Sequence, residues 1–195
     1  MDTLTRKEQI VSTALALFSR QGYHATTMRD IAGALNLQGG SLYAHISAKE
    51  DILWEIVDHA ADEFLAAVTP IAAAPGPAAP RLRAMLHAHV GVVARNLENA
   101  TVFFHEWRFL SEPRRAAVVA RRNAYEARFR HAIQQGIDAG DWPEADARLG
   151  ALLVLSAGNW LYQWFRPDGT WSAEEVADRF ADMILAGLRC VGSAE

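Results

Sequence analysis

Two short helices joined by a tight turn are written into residues 27–50, and no other segment narrows the choice of fold as far. Thr27 with Asp30 three positions on makes a capping-box-like start. Ile31, Ala34 and Leu35 then recur at helical spacing, and the small Ala32 and Gly33 let a neighbouring helix approach closely. Asn36 suits the end of that helix, because Asn tolerates the left-handed backbone of a C-terminal cap. Gln38, Gly39, Gly40 and Ser41 open a second helix with little side-chain bulk, a start that lets backbone N–H groups come near a phosphate. Leu42 and Ile46, four apart, anchor it to a core and leave Ser41, Tyr43, Ala44 and His45 on the outside. Ser47 and Glu50 read as a second capping box that opens a long helix from about residue 48. Helix, turn and short helix in this order predict a helix-turn-helix, whose second helix enters the DNA major groove. The competing reading is a capped helical hairpin with no nucleic-acid role.

The stretch 10–53 resembles the DNA-binding domain of TetR-type transcriptional regulators. The resemblance is carried by Ile10, Ala14, Leu17, Phe18, Gly22, Tyr23, Thr26, Thr27, Met28, Arg29, Asp30, Ile31 and Ala32. It continues through Gly40, Ser41, Leu42, Tyr43, Ile46, Lys49, Glu50 and Leu53. Beyond that first quarter the chain matches the family only in length and helical character. Gly39 stands where many members carry Lys or another polar residue; Ala44 and His45 replace the usual aromatic or His pair, and Ile46 replaces a common Phe. These departures bear on which operator is read. The resemblance implies a homodimeric regulator that holds double-stranded operator DNA with Thr27, Arg29, Gln38, Gly39, Gly40, Ser41, Tyr43, His45 and Lys49. In that reading Tyr43 and Lys49 hold phosphate, and Gln38 and Ser41 face base edges.

The remaining pattern is helical throughout. The expected fold is all-α with about nine helices: a three-helix DNA-binding domain over residues 1–47 and a helical ligand-binding and dimerisation domain over 48–195. Helices are predicted at about 5–20, 48–69, 80–96, 100–110, 113–139, 143–165 and 172–188, besides the pair in 27–46. Gly22, Gly140 and Pro143 serve as boundaries, and Ser172 with Glu175 as a cap. Pro70, Pro75, Gly76, Pro77 and Pro80 predict a break and an Ala-rich loop. Helices 143–165 and 172–188 are apolar on more than one side, through residues such as Leu149, Leu152, Leu153, Trp160, Met183 and Leu188. In a chain of 195 residues that pattern points to a partner helix from a second copy. A monomeric core is the plainer reading.

Charge sets the style of DNA binding. The formal net charge is −4, and residues 1–50 set Arg6, Lys7, Arg20, Arg29 and Lys49 against Asp2, Glu8, Asp30 and Glu50. So few neutralised phosphates are expected per subunit, and affinity must lean on dimeric binding and on neutral donors.

In the body, aromatic residues with interspersed polar groups suggest a cavity. The candidate ligand-binding residues are Phe103, Phe104, Trp107, Arg108, Arg122, Tyr125, Ser156, Asn159, Trp160, Gln163, Trp164 and Arg166. Ser156, Asn159, Trp160 and Gln163 share one helix face by spacing. Arg108, Arg114, Arg115, Arg121, Arg122, Arg128, Arg130 and Arg166 stand in or beside the aromatic elements with no Lys among them. Arg binds phosphate bidentately and stacks on aromatics. Either these residues form an Arg-rich mouth for an acyl coenzyme A effector, or they form a solvated face paired with Glu106, Glu112 and Glu126. The segment 158–175 is similar to regulators of fatty-acid, sterol and phenylacetate breakdown, which implies an acyl-CoA effector touching Arg166 and its Trp neighbours. Two other readings stand: a repressor of an efflux system that responds to uncharged lipophilic compounds, and a helical ligand carrier or enzyme with no DNA target.

Catalysis finds no support, with no nucleophile elbow, phosphate loop or paired cysteines, so no catalytic residue is expected. His59, His87, His89 and His131 read as core or surface histidines rather than metal ligands, so no metal is expected. Cys190 reads as a small buried side chain near a helix end. The lack of a signal sequence or spanning segment leads to the expectation of a cytoplasmic protein with no membrane partner.

Overall fold

The computed structural model describes residues 4–142 and 145–190, and among them the fold is all-α. The elements are α1 (Arg6–Gln21), α2 (Met28–Ala34), α3 (Gly39–Tyr43), α4 (Lys49–Ala72), α5 (Ala78–Arg95) and α6 (Leu97–His105). A 3₁₀ turn over Glu106–Phe109 follows, then α7 (Arg114–Asp138), α8 (Ala147–Asn159), α9 (Leu161–Trp164) and α10 (Ala173–Cys190). The helix expected over 143–165 is present as α8 and α9, interrupted at Trp160, so the nine-helix plan holds among the described residues. Pro143, expected to open that helix, lies outside them; Asp146 caps it instead, its side chain accepting from Leu149 N.

Boundaries follow local chemistry. Thr5 and Glu8 form a full capping box at α1, as Thr27 and Asp30 do at α2. Gly22 ends α1 at φ 85°, donating its N–H to Phe18 O. Asn36 adopts φ 53°, the left-handed conformation expected of it. Ser172 and Glu175 exchange capping hydrogen bonds at α10.

Three expectations are corrected. Pro70 does not stop α4, which runs on to Ala72; near a helix end the missing N–H forfeits only one bond. Pro80 likewise sits inside the first turn of α5, where its N–H would have had no helical partner, and the connecting loop shrinks to 73–77. At the start of α4, Asp51 rather than Glu50 reaches back, accepting from Ala48 N at 3.0 Å.

The chain divides into two compact units. The first comprises residues 4–61 and 97–119, so the helix-turn-helix residues share a unit with the start of α4, α6, the 3₁₀ turn and the first turns of α7. In it α1 packs on α2 and α6, and α2 on α3, around buried Ile10, Phe18, Ile31, Leu42, Leu53 and Val102. Ala32 is buried and Ala34 exposed, so the inward face of α2 is turned slightly from the expected one.

The second unit comprises 62–96 and 120–190. Here α5 packs on α10, α8 and α9. Helix α8 turns its small residues inward: Ala147, Gly150, Ala151, Val154 and Gly158 are buried. A Cβ on Gly150 would meet Ile133 Cδ1 at 3.0 Å, so the helix sits close on its neighbours. Its leucines point outward; Leu149, Leu152 and Leu153 are exposed, as is Met183 of α10. Fully buried Trp142 covers Gly136, where a Cβ would fall 2.2 Å from its ring. Cys190, expected to be buried, is exposed. No helix among the described residues is long and apolar enough to cross a membrane.

Candidate DNA-recognition site and the buried polar pair of the body

Helix α3 is anchored from beneath. Leu42 is fully buried and Ile46 nearly so, while Ser41, Tyr43, Ala44 and His45 are exposed, Tyr43 at 56%. That split is the one expected from the spacing. Gln38, the N-cap position, and Gly40 are exposed, and a Cβ on Gly40 would meet nothing within 4 Å. Gly39 is the first residue of α3. Thr27 and Arg29 are exposed at the start of α2. The Thr27 hydroxyl already serves the capping box, donating to Asp30 Oδ2 at 2.8 Å. These hydrogen bonds hold the Asp30 carboxyl below its usual pKa.

Lys49 differs from the other candidates. Its Nζ donates to Tyr23 O and Thr26 O, both at 2.7 Å, and lies 4.2 Å from the centre of the Tyr23 ring. Burial lowers its pKa. It sits below the α1–α2 turn, not on the open face of α3. Nothing in the local spacing announces this contact, because its partners lie 23 and 26 residues earlier.

The same turn is held from a second direction within this unit. Glu106 accepts from Tyr23 N at 3.3 Å, and Phe109 stacks on the Tyr23 ring and meets His24 edge-on. Glu50 accepts from Ser111 N and Oγ at 3.0 and 2.7 Å, which lowers its pKa. Arg114 pairs with Asp51 at 2.7 Å. Neither Ser111 nor Phe109 is among the site residues that the sequence pattern picks out.

The twelve candidate ligand residues fall in both units. Phe103, Phe104, Trp107 and Arg108 belong to the first; Arg122, Tyr125, Ser156, Asn159, Trp160, Gln163, Trp164 and Arg166 belong to the second. Phe103 and Tyr125 are buried, and Phe104, Trp107, Arg122, Asn159 and Trp164 are half-buried. Ser156, Trp160, Gln163 and Arg166 are exposed, so of the face expected to be shared by Ser156, Asn159, Trp160 and Gln163 only Asn159 is partly covered by this chain. Trp164 meets Phe180 edge-on.

Several arginines have carboxylate partners. Arg115 pairs with Glu112, Arg130 with Glu126, and Arg121 with Asp62. Arg108 and Arg166 instead donate to the backbone carbonyls of Phe104 and Phe165, and Arg108 lies over the Trp107 ring.

The most enclosed polar group of the second unit is His89, on the apolar stripe of α5. It is 1% exposed, with its Nδ1 3.0 Å from the Tyr125 hydroxyl. Phe64, Tyr125 and Phe129 surround the imidazole. Its Nε2 faces Gly158, whose missing side chain makes the room: a Cβ there would lie 2.4 Å from His89 Cδ2. Burial lowers the imidazole pKa to about 4 and raises that of Tyr125 well above the ordinary phenol value. His89 is therefore neutral near pH 7. His87, on the same helix, contacts Asp178 at 2.9 Å on the exposed side.

An anchored short helix with an open polar face, following a capped helix and a left-handed Asn, defines a helix-turn-helix protein with an all-helical body. Residues 10–56 match the model of the bacterial regulatory proteins of the tetR family, and residues 75–188 match the tetracyclin repressor-like C-terminal domain. The chain belongs to the TetR family of regulators. It is similar to the HTH-type transcriptional repressor KstR2 of Mycobacterium tuberculosis, at 25% identity over 186 residues, covering 94% of this chain and 93% of the relative. The structure of that ketosteroid regulator superposes with a TM-score of 0.88, covering 95% of this chain and 96% of the other. AibR, in complex with isovaleryl coenzyme A and operator DNA, gives a TM-score of 0.82 at 30% identity, covering 92% and 97%. PfmR of Thermus thermophilus gives 0.82 at 34% identity, covering 91% and 97%.

Proposed function

We propose that the protein is a homodimeric repressor that binds operator DNA through α2 and α3 and is released by an acyl coenzyme A. The observation that carries the DNA half is the division of α3 and the turn after it into a buried side, Leu42 and Ile46, and an exposed side, Ser41, Tyr43 and His45. An α-helix presented in this way reads base edges in a major groove. Gln38 and Ser41 face bases, Tyr43 and Arg29 hold phosphate, Thr27 spends its hydroxyl and N–H on the cap that orients α2, and Gly39 and Gly40 permit close backbone approach. Pairing across the outward leucines of α8 and Met183 of α10 sets two such helices on one duplex. An apolar group of this kind on one face marks an association surface.

The experiment is a salt titration of operator binding. Log affinity should fall linearly with log salt, by about 0.9 for each phosphate neutralised. Tyr43→Ala should weaken binding on the order of tenfold with little change in melting temperature, since more than half of the residue is open to solvent. Salt-independent binding, or full affinity in the Tyr43 variant, overturns the DNA reading.

The chemical class of the effector rests on AibR, which holds isovaleryl coenzyme A together with operator DNA and so speaks for the ligand and not for its release of DNA, and on Arg166, which is bound to a backbone carbonyl rather than a carboxylate. A guanidinium in that state is available to a coenzyme A phosphate. Acyl-CoA thioesters from isovaleryl to long-chain should release operator DNA. Arg166→Ala should raise the concentration for half-release about tenfold, the worth of one charge-assisted contact. Equal release by free acids or uncharged lipophilic compounds overturns the thioester and favours an efflux-type sensor.

A further inference from the structure

The Lys49 ammonium closes a loop. It is the first residue of α4, immediately after the recognition segment, and it grips two carbonyls that lie just before α2. The chain between Thr26 and Lys49, which are 23 positions apart, holds the whole of α2 and α3. A cross-link at the mouth of such a loop restricts the orientations open to what it encloses. The gripped turn is itself ordered: Thr26 is fully buried, its hydroxyl donates to Gly22 O at 2.9 Å, and its N–H donates to Tyr23 O at 3.3 Å. Thr27, the next residue, is the N-cap of α2. The position of the Thr26 carbonyl therefore sets the entry of α2, and through the α2–α3 packing the pose of α3.

An ammonium has three donors. Two are spent on carbonyls, and the Tyr23 ring lies against the cation. We propose that Lys49 is a positioning residue for operator recognition: it fixes the Tyr23–Thr26 turn, and with it α2 and α3, rather than neutralising a DNA phosphate. The inference rests on the DNA-binding reading above and changes the role of one residue within it.

The two roles separate in a salt titration of the full-length protein with Lys49→Met and Lys49→Arg. Loss of a phosphate contact makes the salt dependence shallower by about 0.9. Loss of a positioning contact lowers affinity at every salt concentration and leaves the slope unchanged. The expected result is a drop of about tenfold for Lys49→Met with a slope equal to wild type, because the two lost hydrogen bonds reach DNA affinity only through the pose of α2 and α3. Lys49→Arg should be impaired as well, because a planar fork does not reproduce a point donor between two carbonyls. Hydrogen exchange without DNA gives a second measurement: the amides of Thr26, Asp30 and Ile31 should exchange faster in Lys49→Met. A shallower slope with unchanged exchange, or full affinity in Lys49→Arg, overturns the proposal. Wild-type protein that ignores its operator would sink the DNA reading, while the exchange comparison would still decide whether Lys49 orders the turn.

Discussion

Alanine at position 158 is expected to destabilise the protein by about 3 kcal/mol, the upper range for forcing volume into a packed core. The added Cβ would lie 2.4 Å from His89 Cδ2 and 2.7 Å from Nε2, separations that no real side chain keeps. His89 cannot swing aside cheaply, because Phe64, Tyr125 and Phe129 enclose it. Movement would also break its hydrogen bond to Tyr125, worth about 1 kcal/mol. The helix-propensity gain of Ala over Gly, up to about 1 kcal/mol, offsets only part of this. Gly187→Ala in α10 is the control: nothing lies within 4 Å of its Cβ, so there the propensity term acts alone and the change should stabilise. Urea unfolding of both variants checks the pair of signs. Combining Gly158→Ala with His89→Ala should cost less than the sum of the two, since the clash has lost its partner.

Acid should weaken the wild-type protein well before its carboxylates titrate. His89 is held to a pKa of about 4 by burial, against 6.5 for an unperturbed imidazole. Above pH 6.5 neither folded nor unfolded chain is protonated at this site, and the neutral ring carries no penalty. As pH falls below 6.5 the unfolded chain takes up a proton that the folded chain refuses, so stability declines down to about pH 4 and then levels at this site. The shift corresponds to roughly 3 kcal/mol in full, of which about 2 kcal/mol falls between pH 6.5 and 5. Urea midpoints across that interval should show the decline in wild type and lose most of it in His89→Phe. Glu50 and Asp30, whose pKa values are lowered by hydrogen bonds, add a further loss only as pH drops through the carboxylate range.

The parts of this molecule that are legible in the sequence are those governed by neighbours a few residues apart. The Thr27–Asp30 box, the Asn36 left-handed step, the Gly22 stop and the Leu42–Ile46 anchor are all local devices, and the exposed side of α3 follows from them. The prolines mislead for a physical reason: Pro80 lies in a first turn, where its N–H would have had no helical partner, and Pro70 gives up one bond with only two helical residues after it, so composition alone overstates the break. The spacing of Glu50 from Ser47 fits a cap, yet a partner 61 residues away, Ser111, takes its carboxylate. Lys49 is equally opaque, because the two carbonyls that take its ammonium lie 26 and 23 residues earlier in the chain. In the body, the periodicity of Ser156, Asn159, Trp160 and Gln163 gives a face but not its direction. An outward-facing stripe and a cavity lining share the same spacing. His89 sits openly on the apolar stripe of α5; its enclosure by Gly158 and Tyr125 requires the packing of α5 against α8.

The outward leucines of α8 tie solubility to stoichiometry. With Leu149, Leu152, Leu153 and Met183 bare, a lone chain carries a greasy flank that water disfavours, and covering it with a twin links folding to assembly by mass action. Heat resistance would then climb as the protein is concentrated, and occupancy of a two-half target would follow the square of chain abundance at scarce supply. A cell that trims this polypeptide modestly would thus empty the target steeply, a sensitivity built from four side chains outside the helix-turn-helix.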